Sequence, residues 1–169
     1  MKRSSLVLVI GLVMLALLIV VIVALTAAFT PENTNPAFAA AVAFADAAGS
    51  GDDAAALKWL APDVQAYVQA HCPESSLSAC IRAYIPLEWG DFRSVVFRRA
   101  TPDGPTAWDV DLIATYAEGK GFSGVCIYNR VEQDAAGEWR VTAWAGWVHC
   151  GDSASRNMAA NPDAPNRVP

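Results

Sequence analysis

A chain of 169 residues with a formal net charge of −5 has room for one ordinary domain plus appendages, because domains most often run to about 100–150 residues. Its hydrophobic content of 54% is raised by one block, the near-continuous apolar run from Leu6 to Phe29. From Phe29 onward ten Lys/Arg face seventeen Asp/Glu, a net charge of −7, which disfavours electrostatic binding to nucleic acid or anionic lipid.

Residues 6–28 form 23 positions without a charge, and a hydrocarbon core about 30 Å thick needs roughly 20 helical residues. The run is therefore expected to span a membrane as an uncleaved signal anchor. Lys2 and Arg3 precede it and Glu32 is the first charge after it, so the positive-inside rule keeps residues 1–5 cytoplasmic and exports the rest. The competing reading is a signal peptide cleaved near Ala28, behind the small residues Thr26-Ala27-Ala28, although such peptides carry apolar cores of only about 7–15 residues.

Residues 29–36, with Pro31 and Pro36 among Asn and Thr, read as a linker. Ala37 to Ala48 is expected to be a helix stopped by Gly49-Ser50-Gly51. Asp52 or Asp53 caps the next helix, whose stripe of Leu57, Leu60 and Val64 is broken or restarted at Pro62. A third short helix is expected from Ser76 to Tyr84, ahead of Pro86. Beyond Glu88 the pattern changes to β-branched and aromatic runs at Phe92 to Arg99, Ala107 to Tyr116, Phe122 to Glu132 and Trp139 to Val148, parted by turn residues. Four such runs predict an antiparallel meander. In the last run Trp139, Val141, Ala143, Ala145 and Trp147 alternate onto one face. Residues 151–169 lack an apolar pattern and are expected to be a disordered tail.

Cys72, Cys80, Cys126 and Cys150 all follow the apolar run, which suits an oxidising compartment and two disulfides. Of three possible connectivities, Cys72 to Cys80 is favoured as a short local loop. Cys126 to Cys150 then follows by elimination, but a hairpin turning at residues 134–137 puts Cys126 opposite about Ala145. At about 3.4 Å per residue this leaves Cys150 out of reach unless the strand bends or bulges near Gly146; otherwise the cysteines cross-link helix to sheet. A zinc site is the alternative use of these cysteines, with His71 and His149 each beside one; adjacent ligands suit a tetrahedral site poorly. No metal and no cofactor is expected.

The order of helices followed by a meander resembles the NTF2-like, cystatin-like α+β cone. The segments that carry the likeness are Phe122-Ser123-Gly124-Val125-Cys126-Ile127-Tyr128 and Gly137-Glu138-Trp139-Arg140-Val141, the second resembling the final hairpin of small NTF2-like proteins, exported ones included. The resemblance covers residues 37–150 and implies about three helices packed on a curved four-stranded sheet. In layout, an N-terminal span before such a domain is also similar to VirB8-type secretion subunits and Mce-associated membrane proteins.

NTF2-like enzymes of the isomerase or dehydratase type place acid/base groups inside the cone, which makes Asp111, Tyr128, His71 and His149 the catalytic candidates. Each also has a plainer reading: Asp111, with Asp109, as the solvated side of an amphipathic strand, Tyr128 as a core aromatic, His71 as a helix-end cation, and His149 as a strand-end residue. Trp59, Tyr67, Trp108, Tyr116 and Trp144 are candidates to line a ligand pocket or, alternatively, to fill the core. Arg93, Arg98 and Arg99 form a basic cluster, either a docking patch or the charged protection of an edge strand. The expected function is a membrane-tethered binding module for an envelope protein partner or a small apolar ligand, with no nucleic acid; the rival is a pocket enzyme.

Overall fold

A computed structural model describes residues 3–28, 35–117 and 124–168. Most of the expected linker, the turn Glu118-Gly119-Lys120-Gly121 and the Phe122-Ser123 start of the third expected strand lie outside the described residues. The chain divides into two compact units, Met1–Asn35 and Pro36–Pro169.

The first unit holds helix α1, Arg3–Ala28. Its 26 residues extend about 39 Å at 1.5 Å per residue. The stretch Val9–Thr26 has a mean hydropathy of 3.2. By length and composition this helix can cross a membrane, which is compatible with an anchored or an exported protein.

The second unit is an α+β fold. Helix α2 (Pro36–Ser50) buries Phe38 and Phe44 among alanines, whose small side chains let its backbone approach the sheet. Helix α3 (Asp53–Leu57) starts at Asp52, whose carboxylate accepts the Ala55 N–H at 3.0 Å, a cap worth about 1 kcal/mol. The stripe of Leu57, Leu60 and Val64 is indeed interrupted: helix α4 (Pro62–His71) restarts with proline in its first turn, where no amide hydrogen bond is lost. Leu60, between the helices, forms an extended bridge to Val141. Helix α5 (Leu77–Arg82) is capped by the Ser76 hydroxyl, which accepts the Ala79 N–H.

Strands β1 (Phe92–Pro102), β2 (Ala107–Tyr116), β3 (Val125–Gln133) and β4 (Trp139–His149) form an antiparallel meander in the order β1-β2-β3-β4. At the β3–β4 turn the Asp134 carboxylate accepts the N–H groups of Ala136 and Glu138. On one side of the sheet, Val110, Leu112, Ile127, Val131, Val141, Trp144 and Trp147 join the helices in the main core. Several fully buried aromatic and aliphatic side chains meet there, each contributing about 1.5–3 kcal/mol through loss of apolar surface to water.

The expected single face of Trp139, Val141, Ala143, Ala145 and Trp147 is not what forms. Register shifts occur between Arg130 and Val131 and between Cys126 and Ile127, so β4 carries an extra residue at each. An unpaired residue reverses the alternation of the strand. Val141, Trp144 and Trp147 consequently face the helices while Ala145 faces away.

Residues 151–168 also depart from the expected disordered tail. They fold back across the outer face of the sheet, where Met158 and Ala164 are buried with Cys126, Tyr128 and Ala145. Val168 pairs with Trp144 through two backbone hydrogen bonds. The segment has no periodicity because it forms turns rather than a helix or strand. Single apolar side chains and local carboxylate, amide and guanidinium bonds hold it, including Arg167 to the carbonyls of Asn161 and Met158.

Candidate functional site

The chemistry of the sheet is divided between its two faces by register. Val110, Asn129 and Trp144 are aligned across β2, β3 and β4 on the helix side, with Phe44 against Trp144 at a ring separation of 5.5 Å. Asn129 is fully buried in this row, and its side-chain amide makes no hydrogen bond to the protein; nor does the indole N–H of Trp144. Sequence reasoning passed over Asn129 because an Asn in a polar-looking stretch of β3 carries no motif.

Asp109 and Asp111 point the other way. Asp111 is aligned with Tyr128, and Asp109 with Arg130. Arg99 donates to one Asp111 oxygen through Nε at 2.9 Å and Nη2 at 2.6 Å. Tyr128 donates its hydroxyl to Asp109 at 2.7 Å, while Arg130 reaches Asp109, Asp103 and Glu132. Burial first, and then the bond to Asp109, pushes the Tyr128 hydroxyl well above its usual range, so it stays a hydrogen-bond donor at neutral pH. Asp111 and Tyr128 thus sit on the outer face, each held by a neighbouring side chain, rather than inside the helix-covered space.

The histidines do not join them. His71, exposed at the end of α4, stacks on Tyr67 with ring centroids 4.3 Å apart, and its Nδ1 lies 3.0 Å from the Tyr67 carbonyl. His149 accepts the Gly151 N–H on Nδ1 and faces Trp89 at 6.4 Å. Of the five aromatic pocket candidates, Trp144 is wholly within the core, and Trp59, Tyr67 and Trp108 pack partly buried against it. Tyr116 lines a cleft of about 320 Å³ with Arg82, Ile85, Leu87, Asp91 and Phe92. Its hydroxyl is buried without a protein partner, and burial raises its pKa strongly.

All four cysteines are in disulfides, Cys72–Cys80 and Cys126–Cys150, each with a Cα separation of 5.0 Å. The obstacle to the second pair is removed by the two bulges, which move Val148 opposite Cys126 and bring Cys150 within reach. Gly146 makes this possible: it has φ +98°, and a Cβ there would lie 2.6 Å from the Cys126 carbonyl oxygen. Among the described residues no group of three His, Cys, Asp or Glu is placed to hold a metal ion.

Other hollows among the described residues lie on the outer face, between the sheet and the returning tail. One of about 420 Å³ is lined by Asp103, Asp109, Tyr128, Arg130 and Arg167, with the Arg167 guanidinium 5.4 Å from the Tyr128 ring centroid. Another, of about 320 Å³, is lined by Arg98, Arg99, Ser155, Arg156 and Asn157. Sequence reasoning found Arg98 and Arg99 but not Arg156 or Arg167, because those two join the face only when the tail folds back. No protein-family model, curated protein or solved structure matches this chain.

Proposed function

We propose that the chain is a membrane-tethered, extracytoplasmic binding module of the NTF2-like type, whose second unit engages an envelope protein partner rather than transforming a substrate. The observation that carries this reading is the division of the sheet. The enclosed helix side is filled by Phe38, Phe44, Leu112, Trp144 and Trp147, whereas Asp111, the buried carboxylate among the described residues, lies on the opposite face in an ion pair. The titratable groups that line the larger outer hollow, Asp109 and Tyr128, are bonded to each other and to Arg130 rather than left free to exchange a proton with a substrate.

Apolar exposure outside α1 supports a docking role. Leu87 is 98% exposed and Phe97, on the outermost strand β1, is 48% exposed, and exposed aromatic side chains favour contact surfaces. Helix α1 supplies the tether, with the cytoplasmic N-terminus that Lys2 and Arg3 favour, and the two disulfides suit an oxidising compartment.

Affinity purification of the full chain after extraction in mild detergent tests this reading. A protein should co-elute in fixed stoichiometry and be lost from Leu87→Asp, a change at a side chain 98% exposed, with the variant's circular dichroism unchanged. Recovery of the chain alone, together with turnover of a screened isomerase or dehydratase substrate, would overturn it.

A further inference from the structure

In a regular strand the neighbours Arg98 and Arg99 would point to opposite faces of the sheet. They do not, because β1 bulges between Phe97 and Arg99: Phe97 is aligned with Leu112 and Arg99 with Asp111, leaving Arg98 as the extra residue. A bulge re-aims a side chain, and here it turns both guanidinium groups onto the outer face. Arg98 donates through Nη1 to Cys126 Sγ at 3.1 Å and to the Ser155 carbonyl at 3.2 Å. Arg99 is anchored on Asp111 through Nε and Nη2, which leaves its Nη1 uncommitted.

The returning tail completes the group. Asp152 and the short turn Ser153–Ser155 carry the chain to Arg156 and Asn157, and Asn157 has a left-handed backbone, φ 54°. Arg98, Arg99 and Arg156 thereby line one cleft of about 320 Å³ with Ser155 and Asn157. Asp111 compensates Arg99. Arg98 has only a sulfur and a carbonyl as partners, and among the described residues the Arg156 side chain has none. In a chain with a net charge of −5, two cations without a carboxylate share a cleft with a third that retains a free donor.

From this convergence we infer that the cleft between β1 and the tail binds a tetrahedral dianion, a phosphate or sulfate group, through Arg98, Arg99 and Arg156. Guanidinium forks recognise such groups through paired, charge-assisted hydrogen bonds. Three of them arriving from two chain segments suit a dianion with several oxygens better than a planar, singly charged carboxylate. An adjoining hollow of about 220 Å³ shares Arg99 and Asn157 and contains Asp109, so negative charge on the ligand is favoured only at the Arg98–Arg156 end. The inference stands independently of whether the unit docks a protein.

Calorimetric titration of the full chain in neutral detergent tests the site, with inorganic phosphate, sulfate and acetate compared at constant ionic strength. Saturable binding of phosphate, sulfate or both, with acetate much weaker, is expected; which anion binds names the ester class that the cleft serves. Arg156→Gln removes a charge that has no structural partner among the described residues and should weaken binding about tenfold, the effect of one charge-assisted contact. Arg93→Gln, on β1 but outside the cleft, should change it less than about twofold. Absence of saturation, acetate binding as tightly as the dianions, or equal weakening by the two variants would overturn the inference.

Discussion

The two faces of the sheet are built on different principles. The helix side is closed by hydrophobic packing against α2, with aromatic rings wedged among alanines. The outer side is closed by a segment without regular structure, which rests on a few buried side chains and on hydrogen bonds from Arg98, Asn166 and Arg167. The first arrangement is predominantly apolar; the second keeps ionic groups within reach of solvent and leaves clefts between them. Apolar burial is concentrated on one face, and ionic chemistry on the other.

A test of this contrast begins with the helix side. Trp144→Ala should destabilise the second unit by about 3–5 kcal/mol, the usual loss for a large buried aromatic residue, measured by urea unfolding of the full chain in detergent. A loss below about 1 kcal/mol would mean that the core is not continuous across β4. On the outer side Met158, with 2% of its surface exposed, is the largest buried side chain of the tail among the described residues. Met158→Ala should cost about 2–3 kcal/mol, at the lower end for a buried methionine because a segment without regular structure can settle into the space. No measurable change would equate the tail with the disordered segment expected from its composition and erase the contrast.

The helix side was the more legible in the sequence because periodicity reports burial against a regular surface. The apolar block, the stop at Gly49-Ser50-Gly51, the restart at Pro62 and the four strands all follow from local rules, and so did the favoured Cys72–Cys80 loop. What escaped depends on non-local geometry. The bulges at Thr142 and Trp147 arise from register with β3, and they reverse a face assignment that strict alternation made look secure. Met158, Ala164 and Val168 are too sparse to form a pattern, yet each is buried in the folded unit. Arg156 joins Arg98 and Arg99 only through the return of the tail, which no local pattern announces.

The smallest expected effect concerns Asp46, the carboxylate that α2 presents to the sheet, where it accepts the Val95 N–H at 3.1 Å. Burial raises its pKa above the ordinary value of 3.8 more than the Val95 bond lowers it. The native state therefore holds its proton to a higher pH than the unfolded chain does, and the associated stability is complete below 3.8 and declines as pH rises through the raised value. Asp46→Asn keeps an acceptor for Val95 but carries no charge. Its stability relative to the parent protein should rise across that window and then level off, by less than about 1 kcal/mol because the site is partly solvated. Urea midpoints measured from pH 3 to pH 7 read the difference directly. The opposite slope would mean that the helix side stabilises the charge, and the separation of ionic and apolar roles between the two faces would then fail at the junction of α2 and β1.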